Sequence, residues 1–397
     1  MKLKGVSVKE VLDSRKDSTV QVLVKTSSGT FSTSAPSGKS TGKFETPAYI
    51  GSVKKSINNL KLKTDEIKEI DFECFNDLEK LEAVITKKEI GANILFALEA
   101  SVLKALAARE GKELWEWLNP RVGKFPMPVG NLIEGGAHSK GKGGKKPDFQ
   151  EFAIIPRVRN FSDANFIMKH AYKVCGERLK LRVGRWGISD EHGWVTNLSN
   201  EETVEVLDET REEITSQLGY KIEIGLDAAA SEFFTGFLYN YKNPSKRLKP
   251  AAQVEYISGL AEKYRIGYLE DALEEGAFND FKVLRRKINR MRPCLIVGDD
   301  LTATQISRTE KAIKQGSINS MIVKVNQNGS LLEVKKIMDL CKRYEIATVF
   351  SHRSGETSDF TIADLAFAWK ADFVKFGVAG REREAKLKRL IEIEKEL

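Results

Sequence analysis

Cys294-Leu295-Ile296-Val297-Gly298-Asp299 is a short apolar run that stops on a carboxylate, and the pattern returns along much of the chain. Lys221–Leu226 stops before Asp227, Ile266–Leu269 before Glu270, and Ala371–Val374 before Lys375. Ser320–Val325 carries Lys324 near its end, and Ala347–Phe350 is followed by Ser351 and His352. Short apolar runs alternating with amphipathic helical stretches read as parallel strands joined by right-handed crossovers. Units repeated in this way predict a β/α barrel better than an open sheet. The polar residues at the strand ends then converge on one mouth, where active sites of such barrels lie. A single acid after a strand is ordinarily a helix cap or a turn. Polar groups after every one of these strands are not explained by capping or by packing.

Working outward, the first third has a different rhythm. Val20, Val22 and Val24 alternate with Gln21, Leu23 and Lys25, as in a half-buried strand. Ser27-Ser28-Gly29 is a turn signal, and Thr30–Ser34 reads as the returning strand. Ile94, Leu98, Val102 and Leu106 recur every four residues along a helix that Gly111 would stop. Residues 1–125 therefore read as a smaller N-terminal α+β domain that caps the barrel. Phe125-Pro126-Met127-Pro128 marks the boundary, and 126–397 is the C-terminal β/α barrel. The chain as a whole is of the α/β class and closes with an amphipathic helix carrying Leu387, Leu390 and Ile391.

Composition excludes several classes. The 397 residues carry 64 Lys and Arg against 56 Asp and Glu, a net charge of +8. That excess is interspersed, without a zinc-finger or RNP-type motif, so a nucleic-acid partner is not expected. No apolar run approaches the ~18 residues that span a bilayer. The start, Met1-Lys2-Leu3-Lys4-Gly5-Val6, lacks the apolar core of a signal peptide. Cys74, Cys175, Cys294 and Cys341 lie far apart, which fits a reducing, cytoplasmic setting. Thr33–Ser40 nearly spells a phosphate-binding loop, but Thr33 stands where the first glycine belongs and the context is a hairpin, so no nucleotide site is expected.

The mouth has a coherent chemistry. Asp227, Glu270 and Asp299 offer hard carboxylate oxygens and no sulfur or imidazole, a set that selects Mg²⁺, Mn²⁺ or Ca²⁺ over zinc. Lys324 and Lys375 approach the same place. An ammonium crowded by another cation gives up its proton more easily, so one of these lysines is expected to act as a general base near neutral pH. A lysine base beside a divalent ion suits removal of a proton α to a carboxylate.

With these residues in view, the chain resembles the enolase family nearly end to end. The strongest stretches are Val297-Gly298-Asp299-Asp300-Leu301-Thr302, Lys324-Val325-Asn326-Gln327 and Ser351-His352-Arg353-Ser354-Gly355-Glu356-Thr357. Leu226-Asp227 with Ala229-Ala230-Ser231-Glu232-Phe233 matches a further segment, as do Leu12-Asp13-Ser14-Arg15, Pro36-Ser37-Gly38, Ser40-Thr41-Gly42 and Gly91-Ala92-Asn93. The resemblance implies reversible dehydration of 2-phosphoglycerate to phosphoenolpyruvate with two Mg²⁺ ions, the second arriving with substrate. Asp227, Glu270 and Asp299 would hold the first ion, and Ser40 would help capture the second. Lys324 would take the C2 proton, Glu191 would be the acid that helps the C3 hydroxyl leave, and Glu151 would support it. Lys375 would contact the substrate carboxylate. Arg353 and Ser354 would bind the phosphate, and the His138 and His352 segments would close over the substrate. The family also implies a homo-oligomer. His170 and His192 are left outside the site.

The departures fall on loops. Lys16-Asp17-Ser18 replaces a usual Gly-Asn-Pro, Lys39 a small residue, and Glu134 an asparagine. The acid segment reads Ser189-Asp190-Glu191-His192-Gly193-Trp194, and Arg381-Glu382-Arg383-Glu384 is altered near the end. The loop from His138 to Glu151 is longer than usual and holds Lys140, Lys142, Lys145 and Lys146. These lysines either steer an anionic substrate or form a solvated loop. Three readings stay open: an enolase with divergent loops, a paralogue acting on another acidic substrate, or a binding protein on the same scaffold.

Overall fold

In the computed structural model, residues 1–39, 42–121, 123–139, 145–184 and 187–397 are described. The alternation in Ser18–Lys25 works as expected. Val20, Val22 and Val24 are fully buried, and the strand pairs antiparallel with Gly5–Leu12 on one side and Thr30–Ser34 on the other. Helix Ala92–Arg109 lies against this sheet. It is apolar on nearly all sides because its other face meets the barrel elements Val325–Asn328 and Leu331–Arg343. Helix Val53–Glu69 is amphipathic, capped by Ser52, and buries Ile57, Leu60 and Ile67.

The barrel strands are Ile222–Asp227, Tyr268–Glu270, Leu295–Gly298, Ser320–Val323, Ala347–Ser351 and Phe373–Lys375, each parallel to the next. Asp227, Glu270 and Lys375 are thus the last residues of their strands rather than the first residues beyond them. Three further strands complete the ring. Met127–Pro128 pairs parallel with Phe373–Lys375, and the amide of Val129 donates to Val374 O at 2.8 Å. The chain then runs straight into Gly130–Glu134, which pairs with Glu151–Pro156, and that strand pairs with Ile222–Asp227. The expectation of purely parallel pairing fails here. Glu151–Pro156 runs antiparallel to both neighbours, because a hairpin rather than a helical crossover joins it to Gly130–Glu134. Inside the ring, Val129, Ala153, Ile155, Tyr268, Val297, Ile322, Val349 and Phe373 fill the barrel, so its interior is a packed core below the mouth.

Among the described residues, no helix is long and apolar enough to cross a membrane.

Candidate active site

The strand ends bring the expected residues together. Lys375 Nζ sits between three carboxylates, 2.5 Å from Glu151 Oε2, 2.7 Å from Glu270 Oε2 and 3.1 Å from Asp227 Oδ2. Tyr268 donates its hydroxyl to Glu270 Oε2 at 2.6 Å, and the Ala229 amide donates to Asp227 Oδ1 at 3.0 Å. Lys324 is ion-paired with Asp299, whose other oxygen accepts from Gln327 Nε2 at 3.3 Å. Five of these groups (Asp227, Asp299, Lys324, His352 and Lys375) line one cavity, together with Glu151, Glu191, His138, Arg353 and Ser354.

The charges nearest the two lysines are carboxylates rather than another cation. Burial works against the Lys324 ammonium, but the adjoining Asp299 carboxylate outweighs it and raises the pKa above the usual lysine value. Lys375 is raised further, against burial, by Glu151, Glu270 and Asp227. The lysines are the counterions of the carboxylates, so each is held charged rather than poised to lose its proton. The carboxylates split accordingly. Burial would raise Glu151, but Lys375 and His138 hold it well below its ordinary range. Asp299 is lowered against burial by Lys324, whereas burial and the Asp227 charge push Glu270 well up.

The acid side of the mouth is built from loops. Glu191 is buried on the turn Ser189–Gly193, where Ser189 Oγ accepts from the amides of Glu191 and Gly193, both at 3.1 Å. His138 Nδ1 lies 3.4 Å from Glu151 Oε1, 3.4 Å from Glu191 Oε1 and 3.8 Å from Glu134 Oε2. Burial opposes its charge, yet Glu191 and the other carboxylates raise its pKa to about 9, so the imidazole is charged at neutral pH. His352 Nε2 is 3.3 Å from Glu191 Oε2, and burial beside Arg383 holds it neutral.

Motifs from distant parts of the chain meet at the other side. Ser37 and Gly355 exchange backbone bonds of 2.7 and 2.9 Å. Arg15 reaches Ser354 Oγ at 3.3 Å and Ser37 Oγ at 3.2 Å, and the Lys39 amide donates to Ser354 Oγ at 2.7 Å. Asn326 bridges Asn93 Oδ1 and Pro36 O at 3.0 and 3.1 Å. Arg353 donates to Asn326 Oδ1 at 3.0 Å and to both oxygens of Glu45 at 3.0 and 3.2 Å. The N-terminal segment is therefore pinned over the mouth by the residues that made the chain look familiar.

Several groups escaped sequence reasoning. Glu45 and Glu134 sit in segments with no strand-end signal. Asp271 and Asp300 each directly follow a metal-type carboxylate, Glu270 and Asp299, and were given no role from the sequence. In the fold, Asp271 accepts from the amides of Asp299 and Asp300 at 3.0 and 2.6 Å, and Asp271, Asp299 and Asp300 form an acidic group able to hold a metal ion. Burial and Asp299 push Asp300 up to about 7. Ser40, Lys140 and Lys142 lie outside the described residues. Lys146 is no free steering charge: its Nζ donates to Gly136 O at 2.5 Å and Ser139 O at 2.7 Å, tying the loop ends together. His170 is remote from the site and pairs with Gln217 at 2.8 Å.

A capped β/α barrel whose mouth sets carboxylates against lysines, beside a buried acid–histidine group, is an acid–base enzyme of the barrel class. The family model described as the enolase C-terminal TIM barrel domain matches residues 123–397, and that of the enolase N-terminal domain matches 3–118. The protein named Enolase from Methanocorpusculum labreanum is 36% identical over 400 residues, covering 99% of this chain and 98% of its own. Those named Enolase from Methanosphaera stadtmanae and Methanothermobacter thermautotrophicus are 34% and 33% identical, each covering 100% of this chain and 97% of their own. The chain belongs to the enolase family.

Proposed function

We propose that the chain catalyses the reversible, Mg²⁺-dependent dehydration of 2-phosphoglycerate to phosphoenolpyruvate. The observation that carries the reading is that Lys324, a base type, and Glu191, an acid type, line one cavity together with Asp227, Asp299, Arg353 and Ser354. The donor set fits Mg²⁺: Asp227, Glu270 and Asp299 are all hard oxygen donors, and buried Glu270 Oε1 has no hydrogen-bond partner among the described residues. When bound there, the ion supplies positive charge against the substrate carboxylate.

The remaining work falls to this chain's own residues. Once Lys324 is released from Asp299 and has given its extra proton to water, its neutral amine takes the proton from C2, and the electron pair of that bond moves toward the carboxylate. Glu191 then gives a proton to the C3 hydroxyl. Water leaves, and the C2–C3 double bond forms. Glu151 and His138 hold Glu191 in place. Arg353 and Ser354 receive the phosphate, the first by exchanging Glu45 for it. A second reading, a paralogue for another acidic substrate, is favoured by Lys39, whose Nζ reaches Ala137 O at 3.1 Å and Asp190 Oδ2 at 3.5 Å and adds a cation at the entrance.

The test is turnover of 2-phosphoglycerate with and without Mg²⁺, beside exchange of its C2 proton in D₂O. Metal-dependent turnover is expected, with Lys324→Ala losing exchange by about 10²-fold or more. Near-normal exchange in Lys324→Ala removes Lys324 as the base, and absent turnover by a protein that still binds Mg²⁺ favours the paralogue.

A further inference from the structure

We propose that Glu134, His138 and Glu191 form a transition-metal site, separate from the Asp227–Glu270–Asp299 set, that takes Zn²⁺. One oxygen of Glu134, one oxygen of Glu191 and a ring nitrogen of His138 all lie within 4.8 Å of one another. From His138 Nδ1 it is 3.4 Å to Glu191 Oε1 and 3.8 Å to Glu134 Oε2. Donors at the ~2.0–2.1 Å of zinc–nitrogen and zinc–oxygen bonds stand about 3.3–3.4 Å apart across a tetrahedron, so these two edges are already near those of a bound ion. The donors are buried and unmet. Glu134 ends strand Gly130–Glu134 at the mouth and is fully buried. Neither of its carboxylate oxygens, nor His138 Nδ1, has a hydrogen-bond partner of ordinary geometry among the described residues. The turn carrying Glu191 is shaped to lie on the Glu134 carboxyl: a Cβ on Gly193 would come within 2.6 Å of Glu134 Oε1, so glycine is what permits the approach. The family pattern has an asparagine at position 134, whose neutral amide is a poor zinc ligand, so the third donor is a feature of this chain.

The surroundings of Nδ1 already favour a cation there. Burial opposes the charge of the ring, yet Glu191, Glu151 and Glu134 raise it to about 9. A divalent ion at that spot replaces the ring proton and meets the same carboxylates with twice the charge. Lys375 matches Glu151, His352 is held neutral, and Arg383 NH2 is 4.0 Å from Glu191 Oε2. With the ring proton displaced, Glu134 and Glu191 face the ion against that one guanidinium, so the set keeps a net negative charge for it. Ser189, the polar neighbour that favours ionised Glu134, completes the surroundings. Mixed imidazole and carboxylate donors suit Zn²⁺, whereas Mg²⁺ demands a near-octahedral shell of oxygens. Three protein donors leave the fourth position to a water from the cavity that His138 and Glu191 line. Binding here does not depend on the reaction proposed above.

The test is Zn²⁺ titration calorimetry on the full-length protein at pH 8 in excess Mg²⁺, with Co²⁺ as an optical probe of the same site. Wild type should take up one Zn²⁺, and Co²⁺ in its place should give the strong visible bands of a low-coordinate ion. Glu134→Asn, which restores the residue usual in the family, should weaken Zn²⁺ by about 10²-fold, since even an outer partner of a metal ligand is worth about 10–100-fold. Asp299→Asn, which removes a donor of the Mg²⁺ set, should leave the Zn²⁺ affinity unchanged. Equal affinity in wild type and Glu134→Asn, or loss in Asp299→Asn instead, overturns the site and puts the zinc among the Mg²⁺ donors. If Glu134→Asn does not fold, X-ray absorption of zinc-loaded wild type in excess Mg²⁺ decides: one imidazole in the metal's shell is expected, and a shell of oxygen alone refutes the proposal.

Discussion

Replacing Lys375 by methionine removes the ammonium that Glu151, Glu270 and Asp227 hold in common, while keeping most of its volume. The contacts, at 2.5, 2.7 and 3.1 Å, are worth about 5–7 kcal/mol each at an effective dielectric of about 20. Dehydrating the ammonium takes much of that back, and breaking a buried pair costs about 3–5 kcal/mol in practice. The variant should therefore unfold at lower temperature than wild type in divalent-free buffer at pH 7. Mg²⁺ should then raise the variant's midpoint by more than it raises wild type's, because a cation at Asp227 and Glu270 no longer competes with a fixed positive charge. The dependence on pH has a definite sign. Glu151 is held well below its ordinary value in the fold, so its contribution is present above the unfolded value and is lost as pH falls through the folded one. Removing Lys375 takes away much of that contribution and leaves the part due to His138, so the two midpoints should draw closer in acid. Scanning calorimetry across pH with and without Mg²⁺ reads all three effects. An unchanged midpoint in the absence of metal, or an equal gain from Mg²⁺ in both proteins, would refute the view that Lys375 is the counterion of the cation site.

Other expectations follow from the same geometry. Glu191→Gln should cut dehydration by about 10²–10⁴-fold while sparing some C2-proton exchange, as measured by NMR in D₂O; equal loss of both would place Glu191 on the base side. His138, raised to about 9 by its carboxylates, should contribute stability that is full below its unfolded value and is lost as pH rises through about 9; His138→Gln should flatten the midpoint between pH 7 and 10. Gly355→Ala would put a Cβ within 2.0 Å of Asp13 Oδ2 and 2.3 Å of Ser37 Oγ, so it should cost about 1–3 kcal/mol and raise KM by loosening the N-terminal segment; wild-type stability and KM together would contradict that.

The parallel strands were legible because each is an apolar run punctuated by a polar residue, and Asp227, Glu270, Asp299, Lys324, His352 and Lys375 do meet at one end of the barrel. Glu151–Pro156 was not, since periodicity carries no strand direction and its functional residue stands at the start of the run. Glu151, Glu191 and His138 came from resemblance alone: Glu191 and His138 are fixed by loop geometry, Glu151 opens a strand, and all depend on contacts with residues far away in the chain. Glu134 was visible as an odd residue without a stated role, because its meaning depends on Gly193 and His138 lying against it. The carboxylates lying nearest Lys324 and Lys375 were not legible either. Residue types reveal which charges are present, whereas the pKa depends on which of them lie nearest.

The reversed strand has a further consequence for how this barrel tolerates change. Since Gly130–Glu134 leaves at the mouth and Glu151–Pro156 enters there, the span between them begins and ends on neighbouring, hydrogen-bonded strands. Lys146 clamps its two ends together by reaching Gly136 and Ser139. The register of Glu134 and Glu151 is thus set twice over, by the ladder between their strands and by one lysine that touches neither of them. Lys146→Ala would leave every group of the mouth in place chemically while removing the second of these two restraints on their spacing.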